Sequence, residues 1–138
     1  MSFMRFIRMF LTLMAIVIGL AVLAAIAMAD TVPEDLAVRC VVGEAEDQGI
    51  EGMTAVAEAI RNRGHVRGVY GCRSPRIAKA QPGVWELARW AWDRSEFTNS
   101  VKGADHWHSD REPRAWWEKY GTRTVKIGSH KFYKDVRR

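Results

Sequence analysis

Residues 43–63 read Gly-Glu-Ala-Glu-Asp-Gln-Gly-Ile-Glu-Gly-Met-Thr-Ala-Val-Ala-Glu-Ala-Ile-Arg-Asn-Arg. From Gly49 onward, Met53, Val56, Ala57 and Ile60 recur at helical spacing and Gly64 supplies a stop, which predicts an amphipathic helix over 49–63. Upstream, Pro33-Glu34-Asp35 makes a helix start, because proline is tolerated at the first helical position and early acids complement the helix dipole. Leu36, Val38, Cys40, Val41 and Val42 carry that helix to Gly43. Glu44 therefore falls at the end of a mostly buried helix, before a glycine-containing turn. Glu46, Asp47 and Glu51 belong to the turn and read as solvated, and Glu58 reads as a surface charge of the second helix. A carboxyl half removed from water is disfavoured in its charged form, which is what a general acid needs near neutral pH. Glu44 is the candidate.

Beyond this pair of helices, Gly64 to Gly71 reads as a loop. Ser74-Pro75 starts a short helix ending near Gln81-Pro82. A further helix runs from Gly83 to about Arg94, with Val84, Leu87, Ala88 and Ala91 on one face and Trp85, Trp90 and Trp92 spread around it. Core packing is the first reading of those indoles and a sugar-stacking wall the second. Ser95 to Asp110 is polar and reads as irregular. Pro113 to Tyr120 reads as a short helix carrying Trp116 and Trp117. Thr122, Thr124, Val125 and Ile127, with Lys131-Phe132-Tyr133 after Gly128, give the β-branched and aromatic density of a strand or hairpin. The fold class is mainly α (α+β): one small helical domain with a short β element.

An N-terminal apolar helix precedes it. Met9 to Ala29 run without a charge after Arg5 and Arg8, so residues 1–29 read as a signal peptide or signal-anchor helix and 30–138 as the working domain. The length suits a membrane span of roughly 20 residues. Ala27-Met28-Ala29 suits a small-x-small cleavage site, and an Ala-rich anchor able to leave the bilayer fits both signs. In each case Arg5 and Arg8 stay inside and the domain is exported to the periplasm or the extracytoplasmic face. The only two cysteines, Cys40 and Cys72, then lie in an oxidising compartment and read as one disulfide, with two free buried thiols the alternative.

The chain of 138 residues has a net charge of +5; without Arg5 and Arg8 its 21 basic residues become 19 against 16 acidic, or +3. A mildly basic domain suits an anionic polymer, and its scattered cations argue against nucleic acid. Its length leaves room for one core and no second binding module, and the domain is expected to be a monomer.

Gly43-Glu44-Ala45, Glu51-Gly52, Ala55-Val56-Ala57 and Asn62-Arg63 resemble the opening motif of the cell wall hydrolase family that includes the spore cortex-lytic enzymes. Gly103-Ala104, Trp117 and Ile127-Gly128-Ser129-His130-Lys131-Phe132-Tyr133 are similar to its closing elements. The likeness runs from about Asp35 to Lys134. It implies a lysozyme-like domain that cleaves peptidoglycan glycan strands between N-acetylmuramic acid and N-acetylglucosamine as a lytic transglycosylase, with Glu44 as the acid and no cofactor. Gln48 departs from the pattern where a second Glu is common, which favours a single acid over the paired carboxylates of a hydrolysing glycosidase.

His106, Trp107, His108, His130 and Tyr133 are the candidates for the sugar-binding groove. A rival reading makes the His-x-His pair, with His130 or Asp105, zinc ligands of an amidase or peptidase. Another keeps the fold as an inactive, membrane-tethered wall-binding protein, against which an intact Glu44 speaks. Whether such an enzyme serves phage lysis, as an endolysin would, or bacterial wall remodelling stays open.

Overall fold

The structure, a computed structural model, describes residues 2–29 and 31–137, without the side chains of 24–29. The Ala27-Met28-Ala29 to Asp30 junction, read above as a possible cleavage site, lies outside what is described. The chain divides into two compact units, Met1–Thr31 and Val32–Arg138.

The first unit is helix α1, Phe3–Ala29. Its stretch Phe3–Leu23 has a mean hydropathy of 2.5 and none of it is buried. At 1.5 Å per residue those 21 residues extend about 31 Å, the thickness of a bilayer's hydrocarbon core.

In the second unit, α2 (Glu34–Ala45) and α3 (Gly49–Arg63) form the predicted helix pair. Gly64 ends α3 at φ 73°, a left-handed conformation that glycine adopts without steric cost, and its N–H closes onto the carbonyls of Ile60 and Arg61. Helices α4 (Arg76–Lys79) and α5 (Pro82–Ser95) follow, and α5 packs on both α2 and α3. Val38, Val41, Val42, Met53, Val56, Ile60 and Phe132 are fully buried between these layers. Removing each such side chain from water contributes about 1.5–3 kcal/mol.

A three-stranded antiparallel sheet in the order β1 (His106–Ser109), β3 (His130–Lys134), β2 (Thr122–Ile127) closes the unit. The β2–β3 hairpin matches the expected β element. Strand β1 does not match, since 95–110 reads as irregular: a four-residue edge strand with polar alternate positions exists because β3 supplies its hydrogen bonds. The helix expected over 113–120 is a 3-10 turn at Trp116–Tyr120. Pro113 opens no regular helix, because the segment is tied down by side chains: Glu118 Oε1 accepts the Ala115 N–H at 2.9 Å and Oε2 the Tyr133 hydroxyl at 3.0 Å.

Two further expectations need correction. Glu58 is no surface charge: only 2% of it is exposed, and its Oε2 accepts the Val101 N–H (3.0 Å) and the Ser100 hydroxyl (2.9 Å). It caps the loop that leads to β1. The α5 indoles also part company: Trp92 is buried under the Arg61 guanidinium, 3.7 Å from its ring centre, while Trp90 is 70% exposed.

Candidate active site

Cys40, Gly43 and Glu44 lie within one turn of α2, and the 3-10 turn Tyr70–Arg73 is fastened to that turn. The Cys40–Cys72 disulfide brings the two Cα atoms to 3.9 Å. Gly43 and Gly71 are both required by this approach. A Cβ on Gly43 would overlap the Gly71 carbonyl, and a Cβ on Gly71 would stand 2.7 Å from the Glu44 carboxyl carbon. Arg39 Nε adds a hydrogen bond to the Cys72 carbonyl at 2.9 Å.

The result is a held carboxyl. Glu44 Oε1 accepts the Gly71 N–H at 2.7 Å, and Oε2 accepts the Trp107 indole N–H at 3.0 Å. Both partners are donors only. A proton on Glu44 therefore has no acceptor in either of them and is free for an acceptor in the groove.

That groove, about 980 Å³, runs past Glu44 and Trp107 between the 68–76 segment and the sheet. On β1, His106 and His108 share one face and Trp107 points to the other, as strand alternation requires. His106 and His108 line the groove and meet Trp117 edge-on, at ring distances of 5.1 and 6.3 Å. His106 Nδ1 is 2.8 Å from Asp105 Oδ1, and His108 Nδ1 lies 3.1 Å from Glu118 Oε1 without hydrogen-bond alignment. Trp107 turns inward, nearly buried, so its contribution is the N–H on Glu44 rather than a stacking face.

His130 also lines the groove but is 4% exposed, and burial holds its imidazole below the usual range against the pull of Glu44 and Asp47. Tyr133 is the exception among the candidates. Paired with His106 across the ladder, it is buried against Trp117, is not a groove residue, and donates its hydroxyl to Glu118. Burial and the Glu118 carboxylate push its phenol up.

Gln48 takes a structural place. Its Oε1 accepts the Ser129 N–H at 2.9 Å in the β2–β3 turn, and its Nε2 donates to Asp47 Oδ1 at 2.8 Å. Asp47 also pairs with Arg111 at 2.6 Å, and these two partners hold it below the ordinary carboxylate range. The zinc reading finds no geometry: among the described residues no group of three His, Cys, Asp or Glu side chains is arranged to hold a metal ion. His130 lies on the sheet face opposite His106 and His108.

Sequence reasoning passed over Gly71, Tyr70 and Trp116 as site residues, and took Arg63 only as part of the Asn62-Arg63 motif. Tyr70 and Trp116 both line the groove and stand 88% and 61% exposed. Gly71 had one visible sign, its place beside Cys72; the two aromatics had none, since exposure is a tertiary property.

Two solved structures share this architecture. The catalytic domain of the Bacillus cereus SleB protein aligns with a TM-score of 0.53 and 24% identity, over 75% of this chain and 92% of that one. That of SleB from Bacillus anthracis, a germination-specific lytic transglycosylase, aligns at 0.54 and 24%, over 75% and 96%. The chain has the SleB catalytic-domain fold. Neither a family model nor a curated relative matches the sequence. The SleB fold is thus kept with roughly a quarter of the residues identical, and the α2–α3 pair with its closing hairpin is the frame on which Glu44 is held.

Proposed function

We propose that residues 30–138 are a peptidoglycan-degrading glycosidase that cleaves the bond between N-acetylmuramic acid and N-acetylglucosamine as a lytic transglycosylase. The observation that carries this reading is Glu44, set in a large groove with each oxygen held by an N–H donor. The B. anthracis SleB domain of the same fold is that of a germination-specific lytic transglycosylase.

In this scheme the protonated Glu44 carboxyl gives its proton to the glycosidic oxygen as the C1–O bond of the muramic residue breaks. The carboxylate left behind is steadied by the Gly71 and Trp107 N–H groups, which donate better to a charged acceptor. It then takes the proton of the muramic C6 hydroxyl as that oxygen bonds to C1. Glu44 ends protonated, the product is a 1,6-anhydro sugar, and no water is consumed. Asp47, tied to Arg111 and Gln48, is already engaged and is not needed as a second carboxylate. Tyr70 and Trp116 offer exposed aromatic faces for sugar rings.

We assign residues 1–29 to export, as a signal peptide or a membrane anchor, which sets the enzyme in the cell envelope. The test is digestion of purified sacculi by the full chain and by Glu44→Gln, with muropeptides read by mass spectrometry. Anhydro-muropeptides from the wild type alone are expected. Hydrolysed ends would overturn the transglycosylase step, and equal cutting by the variant would overturn Glu44 as the acid.

A further inference from the structure

Arg63, the last residue of α3, brings its guanidinium into the same groove, 6.0 Å from the centre of the Trp107 ring. Its Nη2 donates to the Arg67 carbonyl at 2.8 Å. Its Nε–H is buried and meets no acceptor. An unspent charged donor away from water is costly, and native structures seldom keep one without a use.

The carboxylates near Arg63 are Asp105 and Glu44, and both are engaged elsewhere. Asp105 lies on His106 Nδ1, and Glu44 accepts from Gly71 and Trp107. Arg67 adds like charge beside it. His65, whose buried Nδ1 also lacks a partner, feels the charges of Arg63, Arg67 and His106 against that of Asp105. Burial first, and then those two arginines, hold its imidazole below the usual range. Of Arg63, His65 and Arg67, it is Arg63 that lines the groove, where its Nη2 is spent on the Arg67 carbonyl and its Nε–H, though buried, is unspent.

We infer that Arg63 is a specificity residue that binds a carboxylate carried by the muramic unit of the substrate, either on its lactyl group or on its peptide stem. The inference rests on the glycan-cleaving reading above. Along such a strand the glucosamine rings are uncharged, and only the muramic rings carry carboxylates. A guanidinium beside Glu44 that engages them distinguishes the two rings and sets which of the two alternating bonds lies over the acid. Planar N–H donors match a carboxylate, as arginine does generally.

The test is binding, by calorimetry, to the detergent-solubilised full chain carrying Glu44→Gln. Four ligands serve: a disaccharide muropeptide, its amidase-stripped form with a free lactyl carboxylate, and both with their carboxylates capped as methylamides. We expect the uncapped ligands to bind roughly tenfold tighter than the capped ones, the scale of one charged hydrogen bond. Adding Arg63→Gln should abolish the difference, and Arg63→Lys should keep part of it. A preference confined to the stem-bearing pair identifies the stem as the source, and one present in the stripped pair identifies the lactyl group. An equal preference in Arg63→Gln, or no preference or no binding in the parent, overturns the inference. If the preference and its dependence on Arg63 hold while the wild type cuts no glycan, the carboxylate site stands and the glycosidase reading falls.

Discussion

The Gly71 N–H lies 2.7 Å from Glu44 Oε1, so a backbone amide 27 residues downstream holds the candidate acid. That contact exists because position 71 has no side chain. In Gly71→Ala the new Cβ would stand within 2.7 Å of the Glu44 carboxyl carbon, and the acid has to swing away. The variant should fold with a modest loss of stability, about 1–3 kcal/mol. Its glycan-cleaving rate should fall about a hundredfold, as for a misplaced acid–base group. Muropeptide release beside thermal melting separates the two effects. An active Gly71→Ala would show that the amide contact is dispensable.

The other donor can be removed with its ring kept. Trp107→Phe deletes the N–H that reaches Glu44 Oε2 and leaves part of the aromatic packing. Losing one donor that steadies the carboxylate should lower kcat about tenfold or more with little change in KM. A raised KM at constant kcat would instead make Trp107 a sugar-binding residue.

The Cys40–Cys72 bond closes a loop of 32 residues beside the acid. Replacing both cysteines by alanine should cost about 3–4 kcal/mol. Activity measured well below the melting temperature should fall too, because the turn bearing Gly71 is no longer fastened to α2. Retained activity with lower stability would reduce the disulfide to a staple.

Acid should destabilise the domain in two stages. Burial holds His130 below its usual range, so the unfolded chain binds that proton more readily than the fold does. Its contribution is complete above about pH 6.5 and is lost as the pH falls below that. At Glu118 burial pushes the carboxyl up, but the Ala115 N–H, the Tyr133 hydroxyl, Lys131 and His108 together outweigh it and hold it low. That contribution is complete above about pH 4.3 and is lost below it. Melting temperatures from pH 7 to 3 should fall twice, and His130→Asn should make the first fall shallower without removing it, since His65 is held low as well, and leave the second unchanged.

Glu58 anchors the loop before β1. Glu58→Ala strands the buried Val101 N–H and frees the Ser100 hydroxyl to water, and should cost about 1–3 kcal/mol, with Glu58→Gln recovering much of it. Chemical denaturation would measure both, and a value near zero for alanine would return Glu58 to the surface.

What the sequence determined by itself was local. Period and punctuation placed α2 and α3, since Met53, Val56 and Ile60 repeat at helical spacing and Gly64 stops the run. An even cysteine pair after a segment read as an export signal implied the disulfide, and an apolar stretch after Arg5 and Arg8 implied a helix long enough to cross a bilayer. Glu44 stood out by its position at the end of a buried helix. Tertiary structure alone decided what surrounds it. Strand β1 is polar and short and exists through its pairing with β3, so no local pattern announced it. Trp107 and Trp116 look alike in sequence, yet one is spent on the acid and the other faces the groove. Glu58 looked solvated because a charge on a helix usually is, until a loop 42 residues away brought it an N–H and a hydroxyl. Helix period is a property of neighbours along the chain, whereas burial and hydrogen-bond partners depend on segments that meet only when the chain has folded.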